Sequence, residues 1–145
     1  MRSNVTAGIV AGLIAGVVFG VMMTVMQAPT PDGRSVPMMG MVAQVVGSSS
    51  LAVGWLYHLF NSALIGGLFG WILGGRIGGY GSGTGWGAGY GILWWVLGGL
   101  ILMPMFLGMS AFAPLEMPMM RPVAFGSLVG HVIYGAILGI TFVAL

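Results

Sequence analysis

The sequence predicts an all-α integral membrane protein, folded as a single four-helix bundle, and three observations support this. Hydrophobic residues make up 58% of the 145-residue chain, whereas charged residues make up only 4%. The mean hydropathy is +1.05. A soluble domain devotes about a quarter of its residues to charged side chains, so this composition could not cover a surface in water. Lipid is therefore the expected solvent.

Four apolar runs are each long enough for one transmembrane helix, which needs about 20 residues. We expect spans at about 5–28, 51–73, 85–107 and 123–145, all within one domain covering residues 1–145. None of these runs contains a charged residue. Because backbone groups in lipid must be paired internally, and because the runs do not alternate as barrel strands do, helices are expected. Residues 38–46 are apolar but too short to span, which predicts a short interfacial helix.

The charges weakly orient the chain in the membrane. Arg2 and Arg76 lie on one side of the predicted spans, and Arg34 and Arg121 lie on the other. Arginine favours the cytoplasmic side, particularly in short connections without acidic residues. We expect the side of Arg2 and Arg76 to be cytoplasmic, so both termini would face the cytoplasm of a prokaryotic cell.

The two halves of the chain look like a repeated helical hairpin. Each half has a glycine-striped span, a connection containing Met and Pro, and a span with one His. At an offset of 73 residues, His58 aligns with His131. The same offset aligns Ser62 with Gly135, Gly66 with Gly139 and Phe69 with Phe142. A repeat would be parallel, with its axis along the membrane normal, and would place both histidines at matching depths.

Glycine recurs at four-residue spacing, which puts a stripe of small residues on one face of a helix. Such stripes let another backbone approach closely. Packing within the bundle is the preferred interpretation, and a flat surface for a planar cofactor or a partner helix is the alternative. The candidate packing residues are Gly8, Gly12, Gly16, Gly20, Gly66, Gly70, Gly83, Gly87, Gly91, Gly135 and Gly139.

His58 and His131 are the candidate cofactor-binding residues. Each lies inside a predicted span, where an ionisable side chain is a functional candidate by default. Two histidines on two helices are the minimum for bis-histidine ligation of haem b. The preferred alternative is that each neutral ring hydrogen-bonds across helices, for example to Ser127, Asn61 or Tyr134. A proton path is a third interpretation, although no acidic residue lies in a span.

Methionine clusters in both longer connections. Thioether sulfur suits Cu(I), so these clusters are candidate metal ligands. Methionine is also an adaptable apolar residue for packing and binding surfaces, and this interpretation is preferred because no His or Cys accompanies the clusters. The candidate ligands are Met38, Met39, Met41, Met117, Met119 and Met120.

Several functions are disfavoured by residues that the sequence lacks. There is no Cys, and the two acidic residues, Asp32 and Glu116, fall in connections. Neither a Ser-His-Asp set nor a carboxylate pair can be assembled, so we expect no enzymatic activity. The pI near 9.5 reflects four arginines against two acids and no basic patch, so no nucleic-acid partner is expected.

The last span carries a resemblance. Residues 130–139, with the sequence GHVIYGAILG, resemble a GHxxYGxxLG-like pattern late in the chain of small uncharacterised four-span membrane-protein families of bacteria and archaea. The resemblance covers about one span clearly and the second span loosely. It implies a polytopic prokaryotic membrane protein, with no activity attached.

The function expected from these traits is that of a non-catalytic accessory subunit in a larger respiratory or photosynthetic electron-transfer complex. Its partners would be the bilayer and other membrane subunits. One alternative is a b-type haem electron carrier using His58 and His131. Another is a small channel or transporter, which would need polar residues facing one another at mid-membrane, and Asn61, Ser62 and Thr141 are a thin set for that purpose.

Overall fold

Four long helices dominate the computed structural model, which describes residues 3–30 and 32–145. They are long and apolar enough to cross a membrane and form a compact bundle, which confirms the predicted fold class. Arg2, used above for orientation, lies outside the described residues. The α-helices are α1 (Asn4–Val25), α2 (Met38–Val45), α3 (Leu51–Leu73), α4 (Tyr80–Trp94), α5 (Met103–Phe106), α6 (Ala113–Glu116) and α7 (Arg121–Ala144).

The third span is one continuous helix of mixed type. It runs as α4, then as a π-helix over Trp95–Leu102, and then as α5. It begins at Tyr80, five residues before the expected start, because Ser82 accepts hydrogen bonds from the backbone N–H groups of Gly78 and Gly79 and so caps this end. Single 3₁₀ turns, Gly74–Arg76 and Pro118–Met120, lie next to α3 and α7.

The first span is shorter than expected. Helix α1 ends at Val25, because Gln27–Pro29 pairs as an antiparallel strand, β1, with β2 (Ser35–Pro37). The short apolar segment after β2 folds as α2, as expected for residues too few to span. Its Met39 carbonyl packs so tightly on α3 that a methyl group added at Gly54 would lie 2.6 Å from it.

Helices α1 and α3 form one hairpin, and α4 and α7 form the other. The two hairpins use equivalent contacts. A methyl group added at Gly8 would overlap the Gly66 carbonyl oxygen, and one added at Gly83 would lie 2.7 Å from the Gly139 carbonyl oxygen. Gly83 follows Gly8 by 75 residues, while Gly139 follows Gly66 by 73. The backbones therefore approach in the same way in both halves, as a repeated hairpin requires.

The hairpins join mainly through α1 and α7, where the Phe19 ring packs directly on the backbone at Gly130. The third span and α3 have little backbone contact. The hydroxyl of Tyr90 crosses to the Ile65 carbonyl at 2.9 Å and holds these two helices together in the middle of the bundle. Towards the methionine-rich connections they separate.

Candidate functional site

A cavity of about 310 Å³ occupies the space between α3 and the π-helical part of the third span. One end of the cavity is closed by α2, through Met38, Met41 and Val42, and by the segment from Met103 to Met120. Phe19, His131 and Tyr134 form the inner wall, on α1 and α7. The cavity therefore fills the half of the bundle that faces the methionine-rich connections.

The cavity opens sideways, towards the surface that faces lipid in a spanning bundle. Leu64 of α3 lines it while 53% exposed, and Leu102 and Phe106 of the third span line it while 45% and 66% exposed. These residues flank the gap between the two helices.

The third span holds its side of the cavity with an unusual backbone. An eight-residue π-helix, Trp95–Leu102, lines the cavity through Trp95, Gly98, Gly99 and Leu102. π-helical segments are rare in proteins, but those that occur are often found at functional sites. The indole Nε1 of Trp95 donates a hydrogen bond to the Ala124 carbonyl on α7 at 3.0 Å, which fixes the span beside α7 and away from α3.

His58 is buried on α3 and hydrogen-bonds across helices. Its Nε2 lies 2.8 Å from the Gly16 carbonyl oxygen on α1. This is the interhelical bond that the sequence favoured, although the partner is a backbone carbonyl and not one of the expected side chains. Ser62, one turn further on, donates its hydroxyl to the His58 carbonyl at 2.8 Å. That hydroxyl is therefore already used within α3.

His131 bonds within its own helix. Its Nδ1 lies 2.8 Å from the Ser127 carbonyl oxygen and 3.3 Å from the Ser127 hydroxyl. Ser127 was one of the expected partners, but the bond does not link helices. His58 and His131 occupy equivalent places in the two hairpins. His58 bonds to the Gly16 carbonyl on α1. Gly91 follows Gly16 by 75 residues, and a methyl group added there would overlap the His131 carbonyl.

Phe19 brings the two histidines into one aromatic cluster. Its ring centroid lies 5.7 Å from that of His58 and 4.8 Å from that of His131, edge-on to both. Trp55 adds a further edge-on contact to His58 at 6.2 Å. Phe19 is not among the residues that the sequence marked as candidates. The available signal was its place at four-residue spacing after Ala7, Ala11 and Ala15, on the face of α1 next to the glycine stripe.

Tyr134 and Trp94 contribute polar groups near the cavity in different ways. The Tyr134 hydroxyl donates to the Ser62 carbonyl at 3.0 Å, linking α7 to α3. By contrast, the indole Nε1 of Trp94 is buried and has no hydrogen-bonding partner among the described residues. Asn61 also lines the cavity, whereas Thr141, the third polar residue considered for a channel, does not.

The six candidate methionines lie in different environments in the structure. Met38, Met41 and Met120 line the cavity together. Met39 is fully buried against α3, and Met117 and Met119 are exposed. Among the described residues, no group of three or more His, Cys, Asp or Glu side chains is placed to hold a metal ion. Copper binding by methionine stays a prediction.

The glycine candidates lie at helix contacts. On α1, Gly8 and Gly12 meet the α3 backbone, Gly16 meets Ser62 and Gly20 meets the Trp55 ring. The others follow the same pattern: Gly66 and Gly70 meet α1, and Gly83, Gly87 and Gly91 of α4 meet α7 at or near Gly135 and Gly139. Since these faces are filled by the chain itself, they leave no flat surface for a cofactor.

Comparisons of this chain with protein-family models, with curated proteins and with solved structures find no match.

Proposed function

We propose that this protein is a non-catalytic integral membrane protein that binds a small, mainly apolar molecule taken sideways from the lipid. One observation carries the proposal: the bundle encloses a cavity whose open side lies between two lipid-facing helices, at Leu64 and Leu102. Small-molecule sites are typically concave, mostly apolar and about 300–1,000 Å³ in volume, with a few polar groups that orient the ligand. The cavity fits each of these criteria.

The wall composition supports the same conclusion. Aromatic, aliphatic and methionine side chains form most of the wall, and polar atoms are few. Its polar side chains include His58, Asn61 and His131. With no carboxylate in any span, the cavity has no acid for proton transfer or hydrolysis. Binding is therefore better supported than catalysis.

Two matched glycine substitutions test the proposal. Gly98 lines the cavity, and a Cβ added there meets nothing closer than Trp94 Cε3 at 3.9 Å, so Gly98→Leu should fill the space without displacing backbone. Gly89→Leu lies on the same span at an exposed position with nothing within 4 Å of an added Cβ, and serves as the control.

The probe is 1-bromo-4-hexylbenzene, because its bromine quenches tryptophan fluorescence and Trp94 and Trp95 line the cavity. In lipid nanodiscs, saturable quenching should occur in the parent protein and in Gly89→Leu, and should weaken at least tenfold in Gly98→Leu. Equal, non-saturable quenching in all three proteins would contradict the proposal.

We propose that the binding protein acts as an accessory subunit of a larger membrane assembly, with respiratory or photosynthetic electron transfer as the setting. The chain outside its four spans consists only of connections, and parts of the two longer ones pack over the end of the cavity. Purification in mild detergent tests this setting. Stoichiometric co-purifying chains would support it, and a monodisperse monomer without partners would count against it.

The haem alternative is favoured by one observation, namely that His58 and His131 both line one cavity. Since the Phe19 ring contacts both imidazoles, haem bound between them would need this ring to move. A Soret band that is lost in His58→Ala or in His131→Ala would support haem. A colourless protein, purified from cells supplied with haem, would rule it out.

A further inference from the structure

We propose that the molecule bound in the cavity is a lipid-soluble phenol, whose ring hydroxyls donate hydrogen bonds to Nδ1 of His58 and Nε2 of His131. The inference rests on the proposed binding function and specifies its ligand. Three features of the cavity lead to it: the tautomers of the two histidines, the accessibility of their free nitrogens and the aromatic wall between them.

The hydrogen bonds of each imidazole assign its tautomer. A carbonyl oxygen only accepts, so the nitrogen that faces it must carry the proton. His58 faces the Gly16 carbonyl with Nε2, which leaves Nδ1 as a lone-pair acceptor. His131 faces the Ser127 carbonyl with Nδ1, which leaves Nε2 as the acceptor. The two rings use opposite nitrogens, yet each keeps one acceptor.

Both acceptors open into the cavity. Neither has a hydrogen-bonding partner among the described residues. Neither is enclosed, because the one buried, unpartnered side-chain nitrogen or oxygen in the described chain is Nε1 of Trp94. Since both histidines line the cavity, its space is what reaches these atoms. An acceptor facing an apolar space is costly unless a donor fills it, so the ligand should bring O–H groups.

The rest of the wall favours an aromatic ring as the carrier of those hydroxyls. Phe19 lies against both imidazoles, at 5.7 Å and 4.8 Å, and Trp94 and Tyr57 face the same space. Aromatic pairs gain from edge-to-face and offset contacts, and methionine sulfur packs well at ring edges. A cavity of about 310 Å³ is at the small end for ligand sites, which suits a single ring. An alkyl tail would leave through the gap beside Leu64.

The ligand-side test compares 4-hexylresorcinol with its dimethyl ether, which has the same ring and tail but no hydroxyl donor. Both compete with 1-bromo-4-hexylbenzene for the parent protein in nanodiscs. We expect 4-hexylresorcinol to displace the bromo probe at least tenfold more effectively than the ether, after correction for lipid partitioning. Equal displacement would overturn the phenol inference and leave the binding proposal standing. A bromo probe that shows no saturable site would overturn both.

The protein-side test uses His58→Phe and His131→Phe, which keep an aromatic ring and remove the acceptor. On a logarithmic scale, each single variant should keep about half of the parent's preference for the phenol over the ether. The double variant should show no preference. Tyr80→Phe is the control, because Tyr80 is exposed on the third span and does not line the cavity, and its preference should equal that of the parent. Folded histidine variants that retain the full preference would overturn the inference. The ligand-side comparison needs no mutation, so it decides the matter if a variant fails to fold.

Discussion

The contact between α1 and α7 and the contact between α3 and the third span occupy equivalent places in the repeated hairpins, yet one is closed and the other holds a cavity. In the closed contact, Phe19 packs on Gly130. At the repeat offsets of 75 and 73 residues, Phe19 corresponds to Trp94 and Gly130 to Tyr57. Two large rings therefore replace a ring and a glycine, and both line the cavity.

A second pair of residues also differs between the two contacts. Met26 packs against Gly126 in the closed contact, and the corresponding residues of the open contact are Ile101 and Val53. The open contact also contains the π-helix, whereas α1 is regular throughout. The two contacts therefore differ in residue size and in helix type, and the cavity lies at the second of them.

The largest expected effect comes from breaking the glycine contact within a hairpin. Gly66→Leu would drive a side chain into the backbone of α1 at Gly8 and Gly12, which cannot yield as a side chain can. We expect a loss of unfolding free energy of about 3 kcal/mol or more, or failure to fold. Thermal unfolding in detergent measures it. Gly85→Leu, exposed and with open space at its Cβ, should be close to neutral, and an equal loss there would refute the explanation.

A smaller effect is expected from opening the closed contact. Gly130→Leu meets the Phe19 ring, which can rotate aside, so the cost should be about 2 kcal/mol. Combining it with Phe19→Ala should recover part of that loss, because the obstructing ring is removed. If the double variant loses more stability than the two single variants together, the packing of Phe19 on Gly130 is not what limits this contact.

The converse change should sharpen the comparison by closing the open contact. The double variant Tyr57→Gly with Trp94→Phe gives α3 and the third span the residues of the closed contact. The chain has no cysteine, so Leu64→Cys and Leu102→Cys can report the width of the gap by disulfide formation. We expect faster cross-linking in the closed design and at least tenfold weaker binding of the bromo probe. Unchanged cross-linking would show that these two rings do not keep the gap open.

The smallest effect is expected outside both contacts, at Asp32 in the turn between β1 and β2. The hydroxyl of Thr30 and the guanidinium of Arg34 stabilise this exposed carboxylate and lower its pKa. Any stability gained is present above the pKa of the unfolded chain and is lost as the pH falls through the lower, folded value. Thr30→Val should raise the pKa, as measured by NMR titration of Asp32, and should lower the melting temperature at pH 7 only slightly, because the carboxylate is exposed. An unchanged pKa would contradict the assignment to Thr30.

The sequence was sufficient to predict the bundle, because composition sets each span. It was also sufficient to predict the packing faces, because glycine spacing marks them. The pairing of Gly8 with Gly66, and of Gly83 with Gly139, followed from the repeat only once the helices were in place. The histidine tautomers depend on the carbonyls of Gly16 and Ser127, which have no side-chain signature. The π-helix was not predictable, because Trp95–Leu102 is as apolar as a regular span.

The π-helix affects where a span can tolerate the insertion or deletion of a residue. In α1 and α4 the glycines recur every four residues, so inserting or deleting one residue would rotate all that follow by about 100° and destroy the contact. Within Trp95–Leu102, the turns are already wider than α-helical ones, and this segment has few glycine-on-backbone contacts to lose. A one-residue deletion there can be absorbed by a return to α-helical winding. Length variation within a span should therefore be tolerated at this segment first.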